Sequence, residues 1–168
     1  PAATPISIGA GWNWIGYLPQ VDIGTTDALG TVSAEVDDIV KDQNNFAQYY
    51  GEAWGWGGAL TVIDPTSMYM ISTSNAGTLE FAGVPVNPAA TPISISAGWN
   101  WIGYLPQSDI GTNDALETVA AGFNDIVKDQ SDFAIYYGED YGGWTGALSA
   151  IDPTSMYMIS TSNAGTLE

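Results

Sequence analysis

The stretch GWNWIGYLPQ runs from Gly11 to Gln20 and recurs, letter for letter, from Gly98 to Gln107. Self-similarity at a fixed spacing identifies a chain built from repeated units, so this recurrence governs every later assignment. Working outward, PAATPISI at Pro1 returns at Pro88, IVKDQ at Ile39 returns at Ile126, and IDPTSMYMISTSNAGTLE at Ile63 returns at Ile151. The offset is 87 residues and becomes 88 where GEAWGWGGAL (51–60) is matched by GEDYGGWTGAL (138–148). A glycine-rich stretch that accepts an insertion reads as a surface loop. Between the copies lies FAGVPVNPAATP, with prolines at 85, 88 and 92, which favours an extended, semi-rigid connection. The reading is therefore a first module over 1–80, a proline-rich spacer over 81–92 that overlaps the start of the next unit, and a second module over 88–168. The first copy starts with the PAATP that follows the spacer, and the second stops at the TLE that precedes it, so the expectation is a piece of a longer array.

Composition narrows the function. Two Lys and Arg stand against 19 Asp and Glu, for a net charge of −17, yet 45% of residues are hydrophobic. That apolar fraction separates the chain from disordered acidic tails and predicts a folded protein. Nucleic acid is excluded as an expected partner because its binding needs cationic side chains that displace counterions. Anionic membranes would be repelled for the same reason, and the apolar runs are far short of the roughly 20 residues that span a bilayer. The chain has no cysteine and no histidine, so disulfides and thiolate or imidazole metal sites are unavailable.

Each copy reads as a small α+β unit: a mainly antiparallel sheet with one short helix. ISIGAGWNWIGYLPQ, rich in β-branched and aromatic residues, predicts one or two strands, with Trp12 and Trp14 on one face and Asn13 and Ile15 on the other. At least one Trp of each such pair is expected in the core. Leu29, Val32, Val36 and Ile39, matched by Leu116, Val119, Phe123 and Ile126, fall at helical spacing and predict a short amphipathic helix. Thr25, Thr26 and Asp27 offer N-cap side chains, and DALE (114–117) resembles a capping box. IVKDQ followed by NNFAQYYGE predicts a hairpin turning near Asn44 and Asn45. MYMISTS, SNAG and TLEF predict a second one.

Little here supports catalysis. Lys41 and Lys128 are the only bases available to a serine nucleophile, and no S-x-x-K arrangement contains them. The adjacent carboxylates Asp37 and Asp38 become Asn124 and Asp125 in the second copy, and Glu139 and Asp140 match Glu52 and Ala53 in the first. Neither pair is present in both units, so no enzyme is expected. Calcium is the one cofactor with candidate ligands: VDIGTTDAL and SDIGTNDAL each carry two aspartates, Asp22 with Asp27 and Asp109 with Asp114. Against this, the second Asp of each pair is equally placed to cap the helix. Candidate sugar-stacking residues are Tyr49, Tyr50, Trp54 and Trp56, with Tyr136, Tyr137, Tyr141 and Trp144, all in or beside the glycine-rich loop. The competing reading is that these rings pin the loop to the core. The single lysine at the same place in each copy admits two readings, a solvated partner of Asp38 or Asp42 or an internal isopeptide bond.

The order GWNWIGY, helix, IVKDQ-x-x-FA-x-YY, W-x-GAL and DPTSMYMIS resembles a tandem repeat module of large secreted and surface proteins of bacteria. That module runs GWNW(I/V)GYP, IKSQ-x-x-FA-x-Y, GW-x-GSL and EPG-x-GYM. The resemblance covers nearly the whole of each unit and departs from it at IDPTSMYM, where Thr66, Ser67 and Met68, and Thr154, Ser155 and Met156, stand in place of a glycine turn. It implies an extracellular or cell-surface array but assigns the module no role; the role expected for this chain is non-enzymatic: mechanical, spacing or adhesive. The expected partners are neighbouring copies of itself, paired through strand edges into a filament, or glycans.

Overall fold

The computed structural model describes residues 5–17, 21–81, 83–153 and 155–168. Residues 18–20 of the first GWNWIGYLPQ and Thr154 of the second DPTSM lie outside the described residues.

The first half contains β1 (Ile6–Ile8), β2 (Gly11–Ile15), β3 (Ile23–Gly24), α1 (Thr25–Ala28), β4 (Ile39–Lys41), β5 (Phe46–Tyr49), β6 (Trp56–Gly58), β7 (Val62–Ile63), β8 (Tyr69–Thr73) and β9 (Gly77–Leu79). The second half repeats that order as β10 (Ile93–Ile95), β11 (Gly98–Ile102), β12 (Ile110–Gly111), α2 (Thr112–Ala115), β13 (Ile126–Lys128), β14 (Phe133–Tyr136), β15 (Trp144–Gly146), β16 (Ala150–Ile151), β17 (Tyr157–Thr161) and β18 (Gly165–Leu167). The chain is β-rich, and its strands pair antiparallel. Each half has a five-stranded sheet, ordered β2-β8-β4-β5-β6 and β11-β17-β13-β14-β15, and two two-stranded ribbons, β1-β9 with β3-β7 and β10-β18 with β12-β16.

The sheet register explains the cores. Val40 lies opposite both Ala47 and Ile71, and Val127 opposite both Ala134 and Ile159. All of these side chains point to one face and are fully buried. The period of two along the strands then sends Trp12, Trp14, Met70 and Lys41 to the opposite face. Trp12 and Trp99 remain about half exposed, whereas the tryptophans of the cores are Trp56 and Trp144. Of the GWNW tryptophans expected in a core, Trp14 and Trp101 are partly buried and pack against an apolar cluster that includes Met68 of the first half and Met156 of the second. Their face of the sheet turns toward the other half.

Among the described residues α-helix is confined to two single turns, α1 and α2, beside 3-10 turns at Pro88–Ala90 in the spacer and at Glu139–Tyr141. Leu29 and Leu116 are buried as the apolar spacing required, but Val36 and Phe123 are exposed and Ile39 and Ile126 belong to strands. The extended helix fails for two reasons. Asp37 and Asn124 adopt φ of 77° and 69°, in the left-handed region that interrupts a right-handed helix. Next to them, the buried carboxylates of Asp38 and Asp125 accept the backbone N–H of Glu35 and of Gly122. Such side-chain bonding competes with the helical ladder. The capping expectation fails too: Gly24 and Gly111 hold the cap positions without a side-chain bond. The Thr25 and Thr112 hydroxyls instead donate to the carbonyls of Leu60 and Leu148.

The IVKDQ hairpin forms as predicted, with Lys41 opposite Phe46. Asp42 Oδ1 accepts the N–H groups of Asn44 and Asn45 at 2.6 Å and tightens the turn, and Asp129 does the same for Ser131 and Asp132. The second predicted hairpin does not close on itself. β8 runs between β2 and β4, while β9 leaves to pair with β1. The Asp38 carboxylate takes both the N–H and the hydroxyl of Ser74, and the Thr73 hydroxyl donates to the carbonyl oxygens of Gly9 and Asn75. These bonds bend the chain out of the large sheet after Thr73.

At DPTSM, where the sequence departs from a glycine turn, a carboxylate does the holding. Asp64 Oδ1 accepts the N–H and hydroxyl of Thr66, at 2.9 and 2.6 Å, and Oδ2 accepts the Ser67 hydroxyl at 3.0 Å. The Tyr69 hydroxyl accepts the Asp64 N–H at 2.8 Å and donates back to its carboxylate at 3.0 Å. Burial, above all, raises the Tyr69 hydroxyl's pKa over that of an ordinary phenol, and the same is true of Tyr157.

Candidate functional site

The concentration of unusual side chains lies where the two halves meet. β2 and β11 are each the edge of a five-stranded sheet, and an edge strand exposes alternate N–H and C=O groups. Each is met by a glutamine from the other half's IVKDQ turn. The side-chain amide of Gln130 donates to the carbonyl of Trp12 and accepts the N–H of Trp14, both at 3.0 Å. Gln43 donates to the carbonyl of Trp99 and accepts the N–H of Trp101, both at 2.9 Å. A primary amide carries one donor face and one acceptor, so it satisfies residues i and i+2 of an edge much as a neighbouring strand would.

The lysines sit beside the same contacts. Lys41 Nζ is 5.1 Å from the ring centroid of Trp12 in its own half and 5.5 Å from that of Trp101 in the other. Lys128 Nζ is 5.2 Å from Trp99 and 5.7 Å from Trp14. Each ammonium therefore lies over two indoles, one from each half, within the range of cation–π attraction. Asp38 and Asp42, the partners expected for Lys41, have their carboxylates bonded to Glu35 and Ser74 and to the hairpin turn.

Close packing completes the seam. The Gly103 N–H donates to the Thr66 carbonyl at 3.0 Å, and Ser67 bridges to Ile102. A Cβ on Gly103 would come within 2.2 Å of the Pro65 carbonyl oxygen, and one on Gly16 within 2.0 Å of the Met156 methyl. Glycine is required at Gly103, where the obstacle is the other half's backbone; at Gly16 it is the flexible side chain of Met156. Met68 and Met156 are both fully buried in one apolar cluster, against which Trp14, Met70 and Trp101 pack. The sequence missed Gln43 and Gln130. Their signal was the identity of both GWNWIG and IVKDQ in the two copies, where intervening segments vary.

The predicted loop aromatics divide. Trp56 and Trp144 are core residues, with Tyr49 and Tyr136 tilted against them at 5.4 Å. Their burial leaves these two indoles little ring face for a sugar to stack on. Tyr137 packs edge-on to Phe123 at 5.9 Å. Tyr50 is exposed, and at the loop apex Trp54 and its counterpart Tyr141 are 82% and 77% exposed. The Tyr136 hydroxyl donates to Glu139 at 2.8 Å, which with that carboxylate's charge raises its pKa.

The aspartate pairs lie at the surface. Asp22, Asp27, Asp109 and Asp114 are all exposed, with Asp27 and Asp114 inside α1 and α2. Among the described residues no group of three or more carboxylates is placed to hold a metal ion. Asp22 and Asp109 act locally instead, adding to the burial that raises the hydroxyls of Tyr17 and Tyr104, the latter to about 12. No described helix is long and apolar enough to cross a membrane. No family model, no curated protein and no solved structure matches the chain.

Proposed function

We propose that the chain is a non-enzymatic structural element: two tandem α+β modules that lock to one another and act as a rigid unit in an extracellular or cell-surface array. The observation that carries this reading is the reciprocal seam. Each module offers an edge strand with two tryptophans and a hairpin carrying Lys and Gln, and each receives the same parts from its neighbour. A self-complementary patch of this kind is the signature of an isologous contact. A semi-rigid proline-containing spacer alone would set the distance between the modules but not their relative rotation. With the seam closed, the array's spacing is set by pairs of modules, which suits a spacing or adhesive role.

The test is inter-module geometry in the intact chain. Spin labels at Thr78 and Thr166, exposed strand positions in the two halves, should give one narrow distance distribution in the parent and a broad one when Gln43 and Gln130 are both replaced by Ala. A broad distribution in the parent would overturn the reading.

A second reading keeps one specific observation. Trp54 and Tyr141, equivalent loop positions, present nearly their whole ring faces to solvent, and repeated weak glycan sites would gain avidity from a rigid pair. Binding on a panel of immobilised glycans, in calcium and in EDTA, that is lost on replacing Trp54 and Tyr141 by Ala would establish it. A blank panel would remove it.

A further inference from the structure

In the first half, Phe81 follows Leu79 and Glu80 off the end of β9 and packs edge-on against Tyr17, with ring centroids 4.8 Å apart and planes at 87°. It is a buried member of that half's core, together with Ala28 and Leu79. The first residue of the spacer thus completes the preceding copy. The second half carries Tyr104, Ala115 and Leu167 at the matching positions. There a cleft of about 90 Å³ opens, lined by Tyr104, Leu105, Ala115, Leu167 and Glu168 among others.

Burial follows the same difference. Ala28 and Leu79 are 3% and 0% exposed, whereas Ala115 and Leu167 are only half-buried. The Tyr104 ring has Tyr157 as an edge-on neighbour at 6.2 Å, on the core side. The cleft's walls are largely apolar, and the carboxylates at its lining are Asp114 and Glu168. Those charges disfavour an anionic occupant, and the apolar wall favours a neutral ring.

We propose that this cleft is an acceptor for a phenylalanine side chain, carried on chain that leaves β18 as the chain bearing Phe81 leaves β9. The cleft adjoins the seam at Gly103 but uses none of its glutamines, lysines or tryptophans. Each module is then finished by the linker behind it, and cutting or extending that linker tunes the module's stability.

The experiment appends Phe-Ala-Gly after Glu168 of the full chain and compares it with an Ala-Ala-Gly control, by thermal unfolding and by nuclear Overhauser contacts. The phenylalanine chain should unfold at a temperature higher by roughly 3 °C or more, the scale expected for one buried ring in a chain of this length. Its ring should also contact the Tyr104 ring and the Leu167 methyls. Equal unfolding temperatures, or an appended ring without contacts to Tyr104, would overturn the proposal. Phe81→Ala in the unextended chain calibrates the effect in the first half; if it leaves unfolding unchanged, the analogy on which the proposal rests is overturned as well.

Discussion

The side-chain amide of Gln130 accepts the backbone N–H of Trp14 at 3.0 Å, joining positions 116 residues apart in the chain. Gln43 repeats the bond to Trp101 in the opposite direction. Replacing one glutamine by Ala removes two exposed hydrogen bonds, each worth at most about 0.5–1.5 kcal/mol. The expected result is a small loss from either single change and a loosened seam from both. A double-mutant cycle read by inter-module distance and by urea unfolding should give a non-additive term, because the two bonds close the same contact.

Lys41→Met and Lys128→Met keep most of the side-chain volume and remove the charge over the indoles. Each should cost roughly 0.5–2 kcal/mol, the range for exposed to desolvated cation–π contacts. Arginine at either position should retain more of the stability than methionine. Equal unfolding curves for Met, Arg and parent would mean that the ammonium groups contribute no attraction.

Trp56→Ala and Trp144→Ala should each destabilise by about 3–5 kcal/mol, since these rings fill cores. Trp54→Ala and Tyr141→Ala should stay within about 0.5 kcal/mol of the parent, as exposed substitutions do. Urea unfolding of the four variants separates rings that build the fold from rings free to bind.

Asp38 and Asp125 are buried carboxylates, each accepting three hydrogen bonds, two of them at Ser74 or Ser162. Asp→Ala leaves those N–H groups without an acceptor, and roughly 1.5–3 kcal/mol per charged bond sets the scale of the loss. Amide exchange at Ser74 and Ser162 should accelerate in the respective variants. Unchanged exchange would show that other acceptors replace the carboxylate.

Burial holds the hydroxyls of Tyr17, Tyr69, Tyr104 and Tyr157 above 10.0, the ordinary value, with Tyr104 near 12. The unfolded chain ionises these groups near pH 10 (roughly). Above that pH the folded state therefore binds more protons than the unfolded one, and stability falls as pH rises. The contribution is intact below pH about 10 and is lost progressively through the folded values. Urea midpoints measured from pH 8 to 12 should be flat at first and then decline. Phenolate absorbance should show a late-titrating subset among the 9 tyrosines.

The repeat and the strand-rich character were legible because letter-for-letter recurrence and alternation are properties of the string itself. The Asp42 turn was legible for a similar reason: its bonds reach only two and three residues ahead. The helix was overcalled because Leu29 and Val32 do pack inward, but through successive turns whose geometry depends on Asp38 meeting Ser74, 36 residues away. The tryptophans of GWNW were assigned to a core because alternation says which side chains share a face, not what that face meets. What it meets is the other copy, and no local pattern encodes that. The loop aromatics split the same way, with Trp56 in a strand opposite Tyr49 and Trp54 in the preceding turn.

The reciprocity of the seam has an arithmetic meaning. Within this chain each copy's glutamine and each copy's tryptophan edge are matched by the other's, so both interlocking parts on both copies are already engaged. Copies joined by this contact are sorted by parity: an even run is divisible into couples, and an odd run leaves one copy with its indoles and its edge strand unclaimed.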